Sequence, residues 1–139
     1  GRDQPKVAVL AAVETVNATM PATLDAAALT VMAARGQITG ALVDGPLAFD
    51  NAISPEAVAT KGIVSQVAGE ADILVVPDLE AGNMLAKRLV YCAGATGAGL
   101  VLGARVPIVL TSRADPLSAR IASAALAKLV AVRKAEGKA

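Results

Sequence analysis

Two adjacent side chains late in this 139-residue chain, Ser112 and Arg113, stand where an oxyanion could be held. They precede Asp115-Pro116, a dipeptide that reads as the N-cap and first position of a helix. A helix start carries partial positive charge, so an arginine beside it is poorly placed unless an anion sits between guanidinium and backbone amides. With an anion the same residues make a phosphate clamp; without one, Arg113 is a solvent-facing loop residue. Asp44, Asp50, Asp78 and Glu80 would hold Mg²⁺ if they converged, and are turn formers and caps if they do not. The chain has no histidine, which removes Ser-His-Asp and Cys-His catalysis and the usual zinc ligands. Its single cysteine, Cys92, excludes an intrachain disulfide, fits a reducing cytoplasm and reads as a small packed hydrophobe. The glycines at 94, 97 and 99 end a helical stretch and lead into a strand, the reverse of a dinucleotide fingerprint.

These residues are placed by three apolar runs that each stop at a polar loop. Residues 38–43 lead to 44–51, residues 73–76 to 77–83, and residues 108–110 to 111–116. If the runs are parallel strands, all three loops leave the sheet at its carboxyl edge, where open α/β sheets bind ligands. Residues 6–12 read as a buried strand, 24–35 as a helix closed by Gly36, and Ser54-Pro55-Glu56 as a second helix start. Residues 63–67 read as extended, 72–76 as a strand, 80–91 as a helix, and 100–102 and 108–110 as the last strands. The closing helix carries an apolar stripe of Leu117, Ile121, Ala125, Leu129 and Val132. That stripe is longer than a small sheet can cover. Alternation of strands and helices points to an α/β fold with a mainly parallel sheet.

Composition narrows the function. Hydrophobic residues make up 55% of the chain and aromatics 1%, so the core is aliphatic. No apolar run approaches the roughly 20 residues that span a bilayer, and a secretory signal is not expected, because no basic n-region with an apolar h-region opens the chain. Charge is divided unevenly: 4 basic and 10 acidic residues lie in 1–86, against 9 and 2 in 87–139. The C-terminal part therefore either meets something anionic or presents a solvated basic face. Nucleic acid is the weaker partner, because only Phe49 and Tyr91 could stack on bases.

Five stretches in order then carry a resemblance: ETVNATMPAT at 14–23, VDGPLAFDNAIS at 43–54, VAGEADIL at 67–74, PDLEAGN at 77–83 and PIVLTSRAD at 107–115. Together they resemble the C-terminal half of the phosphate acetyl/butyryltransferase family, nearest its phosphate butyryltransferase branch. The resemblance implies the reaction acyl-CoA + phosphate ⇌ acyl phosphate + CoA. It implies a three-layer αβα fold, the second domain of an isocitrate/isopropylmalate dehydrogenase-like architecture plus a C-terminal helix. Residues 1–110 would form that second domain. Residues 111–139 would pack on an N-terminal domain that this chain lacks. It further implies a cytoplasmic homodimer with no cofactor, coenzyme A and phosphate being substrates. By the same resemblance Arg113 holds phosphate charge and Ser112 donates to the developing oxyanion or thiolate, while Glu80, Gly82 and Asn83 bind substrate at the same cleft. Acetyltransferase members place a proposed base, an aspartate, seven residues after the serine; this chain has Ala119 there, which leans towards the butyryl branch.

Ala119 also supports a rival reading, a non-catalytic module that binds CoA or phosphate, or acts as a scaffold. A dehydrogenase-like enzyme is the third reading, and the glycine context opposes it. The chain starts Gly1-Arg2-Asp3 without methionine, which fits a processed piece, a fragment or a tag-cleaved product.

Overall fold

A computed structural model describes residues 2–137; Lys138, counted above in the basic half, lies outside them. The chain divides into two compact units, Gly1–Gly82 and Asn83–Ala139.

In the first unit β1 (Lys6–Leu10) is the middle of a three-stranded parallel sheet in the order β2-β1-β3, with β2 at Leu42–Leu47 and β3 at Ile73–Val75. Helix α1 (Pro21–Ala34) links β1 to β2, and short helices α2 (Phe49–Ile53) and α3 (Pro55–Lys61) lie between β2 and β3. The core is small and aliphatic, as composition requires: Ala8, Val9, Leu10, Ala26, Leu47, Ala52 and Val67 are buried. Close packing depends on Gly45, where a Cβ would lie 2.6 Å from the Val9 carbonyl oxygen and 3.3 Å from the Ala26 Cβ. Ser54 caps α3 as its sequence indicates, its hydroxyl accepting the Ala57 N–H at 3.3 Å.

Strand β2 begins four residues later than residues 38–43 suggest. Gln37 and Ile38 still donate to the Met32 carbonyl at the end of α1, and pairing with β1 starts at Leu42. The sheet therefore takes in Asp44, Gly45 and Pro46, the start of the supposed loop. Pro46 is tolerated because β2 is an edge strand, and the register shifts between Ala8 and Leu10 beside it. Residues 63–67 are not a strand. The Ser65 hydroxyl accepts the N–H groups of Val67 and Ala68, both at 3.0 Å, and this turn delivers Val67 to the core.

Helix α4 (Leu79–Ala93) starts in the first unit and continues into the second. The second unit also holds β4 (Leu100–Val101), β5 (Ile108–Val109) and α5 (Leu117–Ala135). The mainly parallel sheet expected is that of the first unit, but residues 108–110 do not join it: among the described residues β5 pairs with β4, and antiparallel. The six residues between them suffice for a reversal and are far short of the dozen or more that a parallel crossover needs. Helix α5 packs on this pair through Ala119 and Ser123, both buried. The Ser123 hydroxyl donates to the Ala119 carbonyl at 2.8 Å and accepts the Gly99 N–H at 2.9 Å, tying the helix to the approach of β4. The stripe of Leu117, Ile121 and Leu129 faces outward instead.

Candidate active site

The turn after β5 is closed on itself. Asp115 N–H donates to the Ser112 carbonyl at 3.1 Å, Ser112 N–H donates to Asp115 Oδ2 at 2.7 Å, and Ala114 N–H reaches Ser112 Oγ at 3.4 Å. Asp115 is thus not the N-cap of α5. Pro116 takes that position, and no side chain caps the helix. The carboxylate is drawn to the Ser112 amide three residues back, which fixes Ser112 and Asp115 as the feet of the turn. Arg113 stands at its exposed tip, its carbonyl accepting from Arg120 at 3.5 Å.

Beside these feet lies a cavity of about 240 Å³ in the second unit. Asn83, Lys87 and Val90 line it from α4 at the spacing of one helix face, together with Gly97, Gly99, Ser112 and Asp115. Of the predicted residues, Ser112 and Asn83 share this cavity, whereas Arg113 is not among the residues that line it. Lys87 escaped notice in the sequence, although its place four residues after Asn83 puts both on one face of the helix.

Glu80 and Gly82 fall not in a loop but in the first turn of α4. Asp78 makes that helix start, its Oδ1 accepting the Ala81 N–H at 2.7 Å, and Glu80 adds negative charge where the helix dipole favours it. Gly82 has a packing reason of its own: a Cβ there would lie 2.8 Å from Val76 Cγ2. Among the described residues no three acidic, cysteine or histidine side chains gather as metal ligands, so Asp44, Asp50, Asp78 and Glu80 do not converge. Cys92 is exposed, not packed.

The first unit holds a charged group that sequence reasoning missed. Lys61 Nζ lies 3.3 Å from Glu14 Oε2 and 3.1 Å from Asp50 Oδ2, and Asn51 Nδ2 donates to the same Glu14 oxygen at 3.3 Å. Glu14 is held below the usual carboxylate range by a backbone N–H first and by Lys61 next. Hydrogen bonding between Asp50 and Lys61 lowers the one and raises the other. Glu14 and the pair Asp50-Asn51 stand in two of the quoted motifs, and that was the available signal. No helix of the described residues is long and apolar enough to cross a membrane.

Comparison with known proteins assigns these motifs. A family model described as "Phosphate acetyl/butaryl transferase" matches residues 1–128. A phosphate acetyltransferase of Rhizobium meliloti is 65% identical over 134 residues, which is 96% of this chain and 42% of that protein. A phosphate butyryltransferase of Clostridium acetobutylicum is 50% identical over 134 residues, 96% of this chain and 44% of its own length. The crystal structure of a branched-chain phosphotransacylase from Enterococcus faecalis superposes with a TM-score of 0.81 at 41% identity, covering 92% of this chain and 46% of the other. The chain thus spans less than half the length of these relatives.

Proposed function

The chain belongs to the phosphate acetyl/butyryltransferase family, and from that membership we propose that it serves as the C-terminal half of a phosphate acyltransferase acting on short-chain acyl-CoA. The observation that carries this is the shared cavity of Ser112 and Asn83, two residues from separate motifs. In the proposed reaction a phosphate oxygen attacks the thioester carbonyl, the C–S bond breaks, and the CoA thiolate leaves and takes up a proton. The chain's part is positioning and electrostatic stabilisation. Ser112 donates a hydrogen bond to the developing negative charge, and Arg113 meets the phosphate from the turn tip. Asn83 orients substrate along α4, with Glu80 and Gly82 just before it on that helix. No cofactor enters this scheme.

Residues 1–110 are assigned to a dehydrogenase-like αβα second domain, and residues 111–139 to packing on an N-terminal domain. The intact protein is proposed to be a cytoplasmic homodimer. The acyl group is kept at short-chain, because the acetyl-named relative is more similar than the butyryl-named one and so cancels the lean that Ala119 gave. Ala119 is buried in α5, which supports the rival reading of a binding module without chemistry.

One assay separates the two readings: CoA-dependent arsenolysis of acyl phosphate by the intact protein. Turnover that falls at least about a hundredfold in Arg113→Ala or Ser112→Ala, as loss of an oxyanion partner does elsewhere, supports the transferase. Tight CoA binding without turnover supports the module. The 139-residue chain alone is expected to be inactive, and measurable arsenolysis by it would contradict the half-site reading.

A further inference from the structure

We propose that Lys87 is a second cation, besides Arg113, that holds the phosphate substrate in the cavity beside Ser112, an inference that rests on the acyltransferase reading. Arg113 was the sequence's choice for that charge, but it stands at the turn tip and does not line the cavity, whereas Lys87 does. The ion pairs of the described residues involve Arg2, Lys6 and Lys61, and none of them takes up Lys87. Among the described residues its close partner is the ring of Tyr91, 5.8 Å from Nζ to the centroid and one helical turn further along α4. A ring face attracts the ammonium weakly and leaves its N–H donors free for an oxyanion.

The surroundings suit phosphate in particular. Ser112 supplies a hydroxyl and Asn83 an amide, and both can donate to phosphate oxygens. Asp115, the acidic residue at the cavity, has one carboxylate oxygen committed to the Ser112 N–H. The first turn of α5 follows with no side-chain cap, so its positive end is not neutralised by a capping carboxylate. At about 240 Å³ the cavity falls below the roughly 300–1,000 Å³ of pockets that enclose drug-sized ligands. It is large enough for a single phosphate group.

The test uses the intact protein carrying Lys87→Met, Lys87→Gln and Lys87→Arg. Steady-state acyl phosphate synthesis in the methionine and glutamine variants should show a KM for phosphate raised about tenfold or more, as loss of a charge-assisted contact implies. The KM for acyl-CoA should stay near the wild-type value, and arginine should restore much of the phosphate affinity. Lys87 is exposed, so these variants should keep the wild-type circular dichroism. An unchanged phosphate KM overturns the proposal. A rise in the acyl-CoA KM alone also overturns it, by moving Lys87 to the phosphates of coenzyme A. If the wild type transfers no acyl group, the acyltransferase reading fails separately. ³¹P line broadening of inorganic phosphate then decides Lys87 by itself. Broadening that Lys87→Met abolishes upholds the site, and broadening that is absent from the wild type or equal in both overturns it.

Discussion

At the scale of single residues, the same letters do different work in different places. Asp78 and Asp115 both precede a helix. Asp78 caps, because the Ala81 N–H three residues on is within reach of its carboxylate. Asp115 turns back to the Ser112 N–H and builds a turn. Lys61, between Glu14 and Asp50, yields a prediction in pH. The two carboxylates have lowered pKa values, so their contribution is fully present above their unfolded values near about 4 and is lost as pH falls through the folded ones. Lys61 is raised, so its part is complete below about 10.4 and fades as pH rises through its folded value. Lys61→Met should therefore lower the melting temperature by a constant amount from about pH 5 to 9, and by less below about pH 4, where its partners protonate. Added salt should shrink the difference, because all three groups are partly solvated. A Tm difference that stays the same from pH 3 to 7 would remove the triad as an electrostatic unit.

At the scale of elements, Ser123 makes the sharpest prediction. Its hydroxyl is the partner of the Gly99 N–H, and its side chain is fully buried. Ser123→Ala strands that N–H and should cost about 1–3 kcal/mol in denaturant unfolding. Gly99→Ala is expected to be comparably harmful, about 1–3 kcal/mol, because its Cβ would sit 2.6 Å from the Leu110 carbonyl oxygen and force β4 from β5. Either substitution leaving the unfolding midpoint unchanged would contradict the packing of α5 on this strand pair. Ser123 was invisible in the sequence, where a serine on a helix reads as surface. The elements themselves were legible wherever periodicity was long, as in α1, α4 and α5, and wherever an apolar run was unbroken, as in β1. What failed was pairing. Nothing local says that Pro46 lies inside an edge strand, or that residues 108–110 pair with 100–101 and not with β1, since partner choice is set by contacts distant in sequence. The candidate site was half legible for the same reason. Ser112 stood out by residue type and Asn83 through the family resemblance, while Lys87 became a candidate only when α4 turned its face to the cavity.

At the scale of the whole molecule, the outward apolar stripe of α5 is the feature that bears on how this chain is used. Leu117, Ile121 and Leu129 are 73%, 60% and 64% exposed, while the buried side of the same helix is made by Ala119 and Ser123. The relatives are more than twice as long as this chain, which supports the proposal that further polypeptide covers the stripe. Burying one leucine or isoleucine is worth about 1.5–3 kcal/mol, so the two settings give opposite outcomes for one double variant. In the 139-residue chain, Ile121→Glu with Leu129→Glu replaces exposed side chains and should change stability by no more than about 0.5 kcal/mol per site. It should also reduce binding of a hydrophobic dye. In the intact protein the same pair would put two carboxylates into a packed surface, and should lower stability by several kcal/mol together with turnover. Unfolding curves of both proteins, with and without the substitutions, make the comparison. Equal and small effects in the two would mean that the stripe stays in solvent even in the intact protein, and that α5 does not dock on the rest of it.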